Sequence, residues 1–394
     1  MNSRELSEIK RRLDPEKRYP TTIYGCYVSD EGEVLCSFRK PVAMLSQEEA
    51  EQYLPLFRKV VSGTQGQQLL PIGLQGAATV EDEAFARLNT LRTSRLKDEN
   101  ALQELFGEIV LYLQEEKAKR PISIDRSQHA ASTLILLLDD VFDLKHRRRD
   151  GEEDPDRSEA QFSYFLCCIC PVKPKKPGLT FDSSAQDFRV WGDCWAVSAP
   201  ELGFLYPSLV GGGADIYTAM LYTRSISDQH EAFVERIFHA QPGMPAAEQQ
   251  ETLRTLLYES LEEECSMEVL QTLHEQVSDM IEERRQDRHA DPLSLTGPEV
   301  GAVLRSCGVS GEKAKAFEQE YAETFGPYTE VPAVNLVKPS SFQVATPSVS
   351  IKVDPEHAEL VTTRVIDGKR YLMILADGAV EVNGIPVAFQ EEEG

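Results

Sequence analysis

Three near-continuous apolar runs in the middle of the chain constrain the fold more than any other feature. They cover residues 132–142, 161–171 and 204–210, and each has the length of a strand. Runs of this type are typical of strands buried on both faces of a sheet, because a solvated face would place polar residues at alternate positions. The sequence therefore predicts a central apolar sheet with flanking helices.

Helical patterns surround these runs. The apolar positions of residues 80–116 repeat with the helical period, and a break near Lys97 predicts two helices there. Three capping boxes, in which a polar side chain precedes a glutamate by three positions, predict further helix starts. They consist of Asn2 with Glu5, Ser46 with Glu49, and Thr296 with Glu299.

Strand patterns lie toward both ends of the chain. Residues 22–28 and 33–38 are β-rich runs joined by a short polar turn, and they predict a hairpin. After residue 349, alternating segments separated by two Asp-Gly turns predict a β-meander. The predicted fold class is α+β. Its predicted segments are an N-terminal hairpin and helices (1–125), a central β-rich region (126–225), an acidic helical region (226–330) and the C-terminal β-meander (331–394).

The charge is strongly negative and unevenly distributed. The chain has 65 acids and 41 bases, which gives a net charge of −24. Residues 251–291 alone hold 12 acids and 4 bases, a net of −8. The negative charge of the chain repels phosphate groups. We therefore do not expect the chain as a whole to bind polyanions in general. A local basic patch remains compatible with it.

Three sequence features predict the cellular location. No segment reaches the roughly 20 consecutive apolar residues that a membrane span requires. The first residues carry charges every few positions and lack an apolar core, so we expect no secretory signal. The eight cysteines do not form the dense framework of a small secreted domain. We therefore expect a cytoplasmic protein without a membrane partner.

The run CCICP holds the most conspicuous candidate for metal or redox chemistry. Cys167 and Cys170 have the spacing used for zinc sites and for thiol redox pairs. A structural zinc site needs four ligands, and no second pair of this spacing exists in the chain. Because the run resembles a strand, we expect buried core thiols, and a metal or redox site is the alternative.

Two other short motifs carry weaker alternatives. Asp139 and Asp140 follow an apolar run, where carboxylates can hold Mg²⁺ or can end a strand at the solvent. The glycines 211–213 follow a predicted strand, where backbone N–H groups can cradle phosphate. The glycine run lacks the signature of a known phosphate loop, so we expect a plain turn.

Short basic clusters are the candidate contacts for nucleic acid. Residues 173–178 also predict an exposed turn, because two prolines interrupt their lysines. Each cluster is flanked by acids, so a solvated surface is the competing interpretation. The candidates are Arg147, Arg148, Arg149, Lys173, Lys175 and Lys176.

Five stretches spread over the chain carry a family resemblance. They are residues 6–17, 24–28, 166–172, 176–179 and 201–207. Through them, essentially the whole chain resembles an uncharacterised bacterial family known only as a domain of unknown function. This resemblance implies no activity.

The second half also resembles, more distantly, the bacterial nucleoid-associated proteins of the YejK/NdpA type. The likeness lies in the order of elements: strand-like residues 204–222, acidic helices, residues 317–325 and a terminal meander from 350. It implies a cytoplasmic, nucleoid-linked and non-enzymatic role, exercised as an oligomer.

We therefore expect a non-enzymatic binding or scaffold protein, with nucleoid association as one form of that role. Its partners would be a second copy of the chain, another protein or nucleic acid, and we expect no cofactor. The alternative is an enzyme whose site lies near Cys167 and Cys170 or near Asp139 and Asp140.

Overall fold

The computed structural model divides the chain into two compact units. The first contains Met1–Glu248 with Arg288–Pro292, and the second contains Gln249–Asp287 with Leu293–Gly394. The predicted helical segment 226–330 is thus shared between the units. The structure describes residues 1–74, 82–119, 132–144, 160–175, 178–182, 186–191, 194–210, 212–287, 289–326, 329–376, 378, 380–382 and 385–388.

The described residues form both helices and strands, largely in separate stretches of the chain, and the predicted α+β class is confirmed. The helices are α1 (Ser3–Arg12), α2 (Gln47–Val60), α3 (Glu83–Ser94), α4 (Glu99–Lys119), α5 (Glu231–Phe238), α6 (Ala246–Leu261), α7 (Met267–Gln286), α8 (Gly297–Ser306), α9 (Gly311–Phe325) and α10 (Ala333–Leu336). The three predicted capping boxes form at the starts of α1, α2 and α8.

The strands of the first unit include the three apolar runs. They are β1 (Thr22–Val28), β2 (Val34–Pro41), β3 (Leu69–Gly73), β4 (Ser132–Leu144), β5 (Ala160–Lys175), β6 (Gly178–Asp182), β7 (Asp187–Trp191), β8 (Cys194–Val197), β9 (Leu202–Tyr206), β10 (Ser208–Val210), β11 (Gly213–Asp215) and β12 (Thr218–Thr223).

The second unit contains shorter strands. They are β13 (Ser294–Leu295), β14 (Val331–Pro332), β15 (Phe342–Ala345), β16 (Ser350–Val353), β17 (Val361–Ile366), β18 (Lys369–Ile374), β19 (Val380–Val382) and β20 (Ile385–Val387). They form two-stranded antiparallel sheets, each made of two successive strands. The predicted C-terminal meander is therefore a series of separate strand pairs in the described residues.

The large sheet of the first unit has the strand order β2-β1-β4-β5-β9-β12-β3, and β8 extends it beside β5. All its neighbours are antiparallel. Successive residues of β4 enter opposite cores: Ile135 packs with α3, α4 and α5, whereas Leu136 packs with α1 and α2. Burial on both faces explains the continuous apolar runs and confirms the prediction drawn from them.

The strands of the structure differ from the sequence predictions in two places. The predicted turn at 173–178 is wrong for its first residues, because Lys173 and Lys175 continue β5 and pair with β8. The edge strand β3 carries no strand signal because it is five residues long and contains Pro71. Proline is tolerated in an edge strand, where one side of the backbone has no neighbour to bond.

The core of the second unit is helical. Side chains of α6, α7, α8 and α9 meet in one apolar cluster that includes Leu257, Val277, Leu304 and Phe317. None of the helices in the described ranges of either unit combines the length and the apolarity that a bilayer span requires.

Candidate functional site

The predicted carboxylate Asp140 lies in a buried hydrogen-bond cluster of the first unit. Arg12 binds it with two guanidinium nitrogens, and the Nη2–Oδ1 distance is 2.8 Å. The Tyr164 hydroxyl donates to Asp140 Oδ2 over 2.8 Å. The Arg12 guanidinium also lies between the rings of Tyr19 and Phe142, at 4.8 and 4.9 Å from their centroids. Both oxygens of Asp140 are therefore occupied by side chains of the chain itself.

Asp139 is buried beside a second arginine. Arg95 donates to Asp139 Oδ2 over 3.3 Å and to the Thr21 hydroxyl over 2.6 Å. Burial raises the pKa of Asp139, and the nearby Arg95 charge opposes that rise only in part. The cluster links α1 and the turn after α3 to the interior of β4, so its geometry is that of a structural clamp.

The described residues do not bring together three or more side chains able to hold a metal ion. Bidentate arginine contacts explain this for Asp140, since a cation would have to displace a buried guanidinium. The arrangement favours a structural role for both carboxylates. The interpretation that they end a strand at the solvent is wrong, because Asp139 and Asp140 are buried and lie within β4, which continues to Leu144.

The strand β5 separates the predicted cysteine pair. Cys167 packs in the core beside α3, α4 and α5, whereas Cys170 packs in the core on the other face. Burial raises the pKa of both thiols, that of Cys170 to about 12. Since the sheet lies between them and neither forms thiolate readily, the two cannot ligate one zinc ion in this arrangement. The placement favours core thiols.

Gly212 and Gly213 of the glycine run lie at the tip of the β10–β11 hairpin, and Gly211 lies outside the described residues. Gly212 has φ of +77°, which suits a tight turn, and Gly213 pairs with Val210. The backbone N–H of Gly212 donates to the Glu5 carboxylate over 3.4 Å. A carboxylate at this position repels phosphate, which favours the plain turn.

The basic candidates receive little support as one surface. Lys173 is exposed on β5, and Lys175 follows it in the same strand. Arg147, Arg148, Arg149 and Lys176 lie outside the described residues. Within the described residues, then, these six positions do not define a patch.

A different surface stands out in the second unit, on the ribbon formed by β17 and β18. Its two strands are joined by a tight turn at Asp367 and Gly368, whose φ values are +49° and +75°. Both are left-handed, as a two-residue hairpin turn requires. The Asp-Gly signal for this turn was correct.

The register of the ribbon defines which side chains share a face. Opposite residues of an antiparallel pair lie on the same side, and successive residues alternate between sides. One face therefore carries three cross-strand pairs, and we call it the docking face. It consists of Thr362 with Met373, Arg364 with Tyr371, and Ile366 with Lys369.

Every side chain of the docking face is exposed. Ile366, Tyr371 and Met373 retain 45, 43 and 40 % of their full accessibility. Two bases accompany them, and the face has no acid. Within the ribbon as a whole, three bases oppose only Asp367, whereas the whole chain has a net charge of −24. The face is therefore apolar and locally basic.

The base of the ribbon is held by α7. Gln271 donates its side-chain amide to the carbonyls of Ala358 and Val361, over 2.6 and 2.9 Å. The Val361 side chain is buried, whereas residues 362–366 are exposed. The ribbon thus projects from a fixed point.

An acidic groove with a volume of about 570 Å³ lies beside this anchor, between α7 and the turn 355–360. His274 lines it and contacts the Lys338 carbonyl over 3.1 Å. The surrounding acids are Glu268, Glu275, Asp279, Glu282, Glu356 and Glu359. The second unit therefore presents a negative groove and a positive ribbon within the same fold.

Comparison with known protein families shows to which family the chain belongs. The family described as "Domain of unknown function (DUF4317)" matches residues 1–385. The chain belongs to this family. The predicted membership of an uncharacterised family over the whole chain is thereby confirmed. No curated protein shows a significant match. The likeness to nucleoid-associated proteins stays a prediction.

The sequence predictions did not single out the docking face. The alternating residues on either side of Asp367 and Gly368 did predict the two strands of the ribbon. What the sequence does not indicate is that both faces of the ribbon are exposed, because alternation normally predicts one buried face.

Proposed function

We propose that the protein is a non-enzymatic binding protein, and that its docking face binds an acidic protein partner. The observation that carries the proposal is the exposure of Ile366, Tyr371 and Met373 beside two bases on a two-stranded ribbon. The role is that of a scaffold whose ribbon receives the partner and whose large sheet stabilises the first unit.

The ribbon is physically incomplete by itself. Two-stranded sheets are marginally stable in water, and further strands or a packed helix normally cover their apolar side chains. Contiguous exposed apolar side chains bordered by polar residues are typical of interaction sites. The proposed partner covers Ile366, Tyr371 and Met373 and pairs its acids with Arg364 and Lys369.

The chemistry of the docking face favours a protein over nucleic acid. Nucleic-acid binders commonly make roughly six to ten phosphate contacts through basic side chains, and this face has two bases. The aliphatic side chains Ile366 and Met373 suit a packed protein surface, and exposed Tyr371 supplies the rigid aromatic anchor typical of protein interfaces. A nucleic-acid partner is the competing outcome.

The polar groups of the first unit support a non-enzymatic role. Asp140 is occupied by Arg12 and Tyr164, and the thiols of Cys167 and Cys170 are buried on opposite faces. Each of these groups has a structural role, so neither pair is poised for acid–base or nucleophilic chemistry.

The test uses site-specific photocrosslinking in cells that produce the full chain. A photoreactive residue replaces Tyr371 in one variant and Tyr258 in the control. Tyr258 belongs to α6 of the same unit and is 71 % exposed, so it reports non-specific capture. We expect an adduct at position 371 that nuclease leaves intact, and no matching adduct at position 258.

The captured protein is then purified and titrated against the full chain. We expect binding that weakens with salt, and at least about a tenfold loss of affinity in the double variant Arg364→Glu/Lys369→Glu. Equal labelling at both positions, or affinity unchanged by the charge reversal, contradicts the proposal. A nuclease-sensitive adduct at position 371 overturns it in favour of nucleic-acid binding.

A further inference from the structure

We propose that the acidic partner of the docking face is a second copy of this chain, which presents the acidic groove between α7 and residues 355–360. The inference rests on the proposed function and names the partner of the same surface. In a two-fold dimer, the docking face of each copy would lie on the acidic groove of the other.

The acidic groove carries a row of negative charges along α7. Acids recur on the face of the helix that lines it, at intervals that place them on one side: Glu268, Glu275, Asp279 and Glu282. Glu275 and Asp279 are exposed, and neither forms an ion pair with any residue that the structure describes. The middle of the groove therefore offers two carboxylates to an incoming pair of bases.

The docking face carries the matching pair of bases. Arg364 and Lys369 are exposed, and no described acid pairs with either. They are diagonal neighbours across the ribbon, a relation that separates Cβ atoms by about 7–8 Å. Glu275 and Asp279 are four residues apart on a helix, which separates Cβ atoms by about 5–6 Å. Because arginine and lysine side chains are long enough to take up the difference, both ion pairs can form at once.

The position of these bases along the ribbon favours exchange between two copies. Gln271 holds the base of the ribbon beside its own groove, whereas Arg364 and Lys369 lie next to the turn at the tip. At about 3.3 Å per strand residue, the tip lies roughly 17 Å from the base. The exposure of residues 362–366 shows that the ribbon does not cover its own chain. Two ribbons placed antiparallel about a two-fold axis bring each tip to the base of the other copy, where the groove lies.

The rest of the groove suits the remaining groups of the docking face. His274 is 9 % exposed and donates from Nε2 to the Lys338 carbonyl, so Nδ1 of the neutral ring is left as an acceptor. The Ser278 hydroxyl is buried and has no hydrogen-bond partner among the described residues. Both residues line the groove, together with Pro339 and Pro355, which offer an apolar surface to the aromatic and aliphatic side chains of the ribbon. The groove thus combines acceptors for a guanidinium with apolar contacts.

Sedimentation velocity of the full chain at micromolar concentration and low salt tests the contact. We expect a dimer for the wild type, with a dissociation constant that rises with salt. Glu275→Lys/Asp279→Lys and Arg364→Glu/Lys369→Glu should each raise that constant about tenfold or more. An equimolar mixture of the two variants should restore the dimer, because every groove then meets a ribbon of opposite charge.

Two comparisons separate this contact from a general effect of charge. Glu275→Lys/Asp279→Lys makes the chain less negative, so a general effect would strengthen its self-association instead of weakening it. The control Glu259→Lys/Glu263→Lys reverses two exposed acids of the same unit that do not line the groove, and it should leave the dissociation constant unchanged. A monomeric wild type, or a mixture of the two variants that fails to dimerise, overturns the inference.

Photocrosslinking distinguishes a failure of this inference from a failure of the proposed function. With a photoreactive residue in place of Tyr371, the purified chain should give an adduct of twice its mass, joined within α7 or residues 355–360. If it gives none while position 371 captures another acidic protein in cells, the proposed function stands and a second copy is not the partner. If position 371 captures no protein in either setting, the proposed function fails as well.

Discussion

The large sheet of the first unit and the C-terminal ribbon of the second are both antiparallel, yet they differ in how far their side chains are exposed to solvent. Residues 132–140 of β4 are all buried, on both faces, whereas residues 362–366 of β17 are all exposed. In the sheet, even the buried carboxylates of Asp139 and Asp140 are paired with arginines. In the ribbon, apolar and basic side chains face the solvent together.

This difference indicates where binding and stability are located. Buried charges that are fully paired fix the position of helices against a sheet, and they leave little chemistry available for a ligand. Exposed apolar side chains on a marginal two-stranded sheet contribute little to the fold and are available to a partner. We therefore expect substitutions in the two regions to have different consequences: loss of stability in one, and loss of binding in the other.

The largest stability effect should come from the Arg12–Asp140 pair. Removing one partner leaves a buried charge uncompensated, and Arg12→Met should lower the free energy of unfolding by roughly 3–5 kcal/mol. Both tryptophans of the chain, at positions 191 and 195, belong to the first unit. Tryptophan fluorescence during urea denaturation therefore reports the unit that contains the pair.

The control for this pair is its sequence neighbour. Arg11 binds Glu8 over 2.6 Å on the exposed side of α1, and exposed pairs contribute at most about 1 kcal/mol. Arg11→Met should change the same urea transition by no more than that. Similar losses for Arg11→Met and Arg12→Met would contradict the structural clamp.

A smaller loss should follow from filling the space beside Gly203. A Cβ added there would lie 2.4 Å from the Cys167 carbonyl oxygen in the neighbouring strand. Because backbone must move to admit it, Gly203→Ala should destabilise the first unit by roughly 1–3 kcal/mol.

Gly73 of the edge strand β3 is the matched control, since a Cβ there meets no atom within 4 Å. Gly73→Ala should shift the same transition by about 0.5 kcal/mol or less. If Gly203→Ala destabilises the first unit as little as Gly73→Ala does, β5 and β9 do not pack as closely as the structure shows.

The smallest effect should appear as a pH dependence of the first unit. His230 begins α5, and its Nδ1 lies 2.8 Å from the Tyr112 hydroxyl. Burial lowers the pKa of His230, while the charges of Asp228, Glu116 and Glu201 oppose that shift. The unfolded chain therefore takes up the proton first, and stability is lost as the pH falls below about 6.5.

The loss assigned to His230 should not exceed about 1.4 kcal/mol at pH 5.5, one pH unit below the ordinary histidine pKa. Urea titrations between pH 7.5 and 5.5 should show a shallower decline for His230→Gln than for the wild type. Tyr112→Phe should keep most of the decline, because burial is the main cause. If the stability of His230→Gln declines with falling pH as steeply as that of the wild type, the decline is not caused by His230.

Local signals in the sequence predicted much of the fold. The capping box of Asn2 and Glu5 fixed the start of α1, and the two-sided burial of β4 followed from its unbroken apolar run. The Arg12–Asp140 contact could not be predicted in this way, because its partners are 128 residues apart and meet only when α1 packs on the sheet.

The candidate site was less accessible to sequence reasoning for a related reason. Alternation in residues 361–374 predicts strands, but it does not reveal that Ile366 and Val365, on opposite faces, are both exposed. In our proposal another molecule covers the docking face. The sequence pattern of this chain alone therefore cannot show that the face is covered.

The most direct test of the docking face is the affinity of the full chain for the purified partner, measured by calorimetry. Two variants change opposite faces of one ribbon: Tyr371→Ser/Met373→Ser on the docking face, and Val365→Ser, 71 % exposed, on the other. We predict at least about a tenfold loss of affinity for the first variant and little change for the second. Unchanged affinity in Tyr371→Ser/Met373→Ser, or an equal loss in Val365→Ser, would contradict the account.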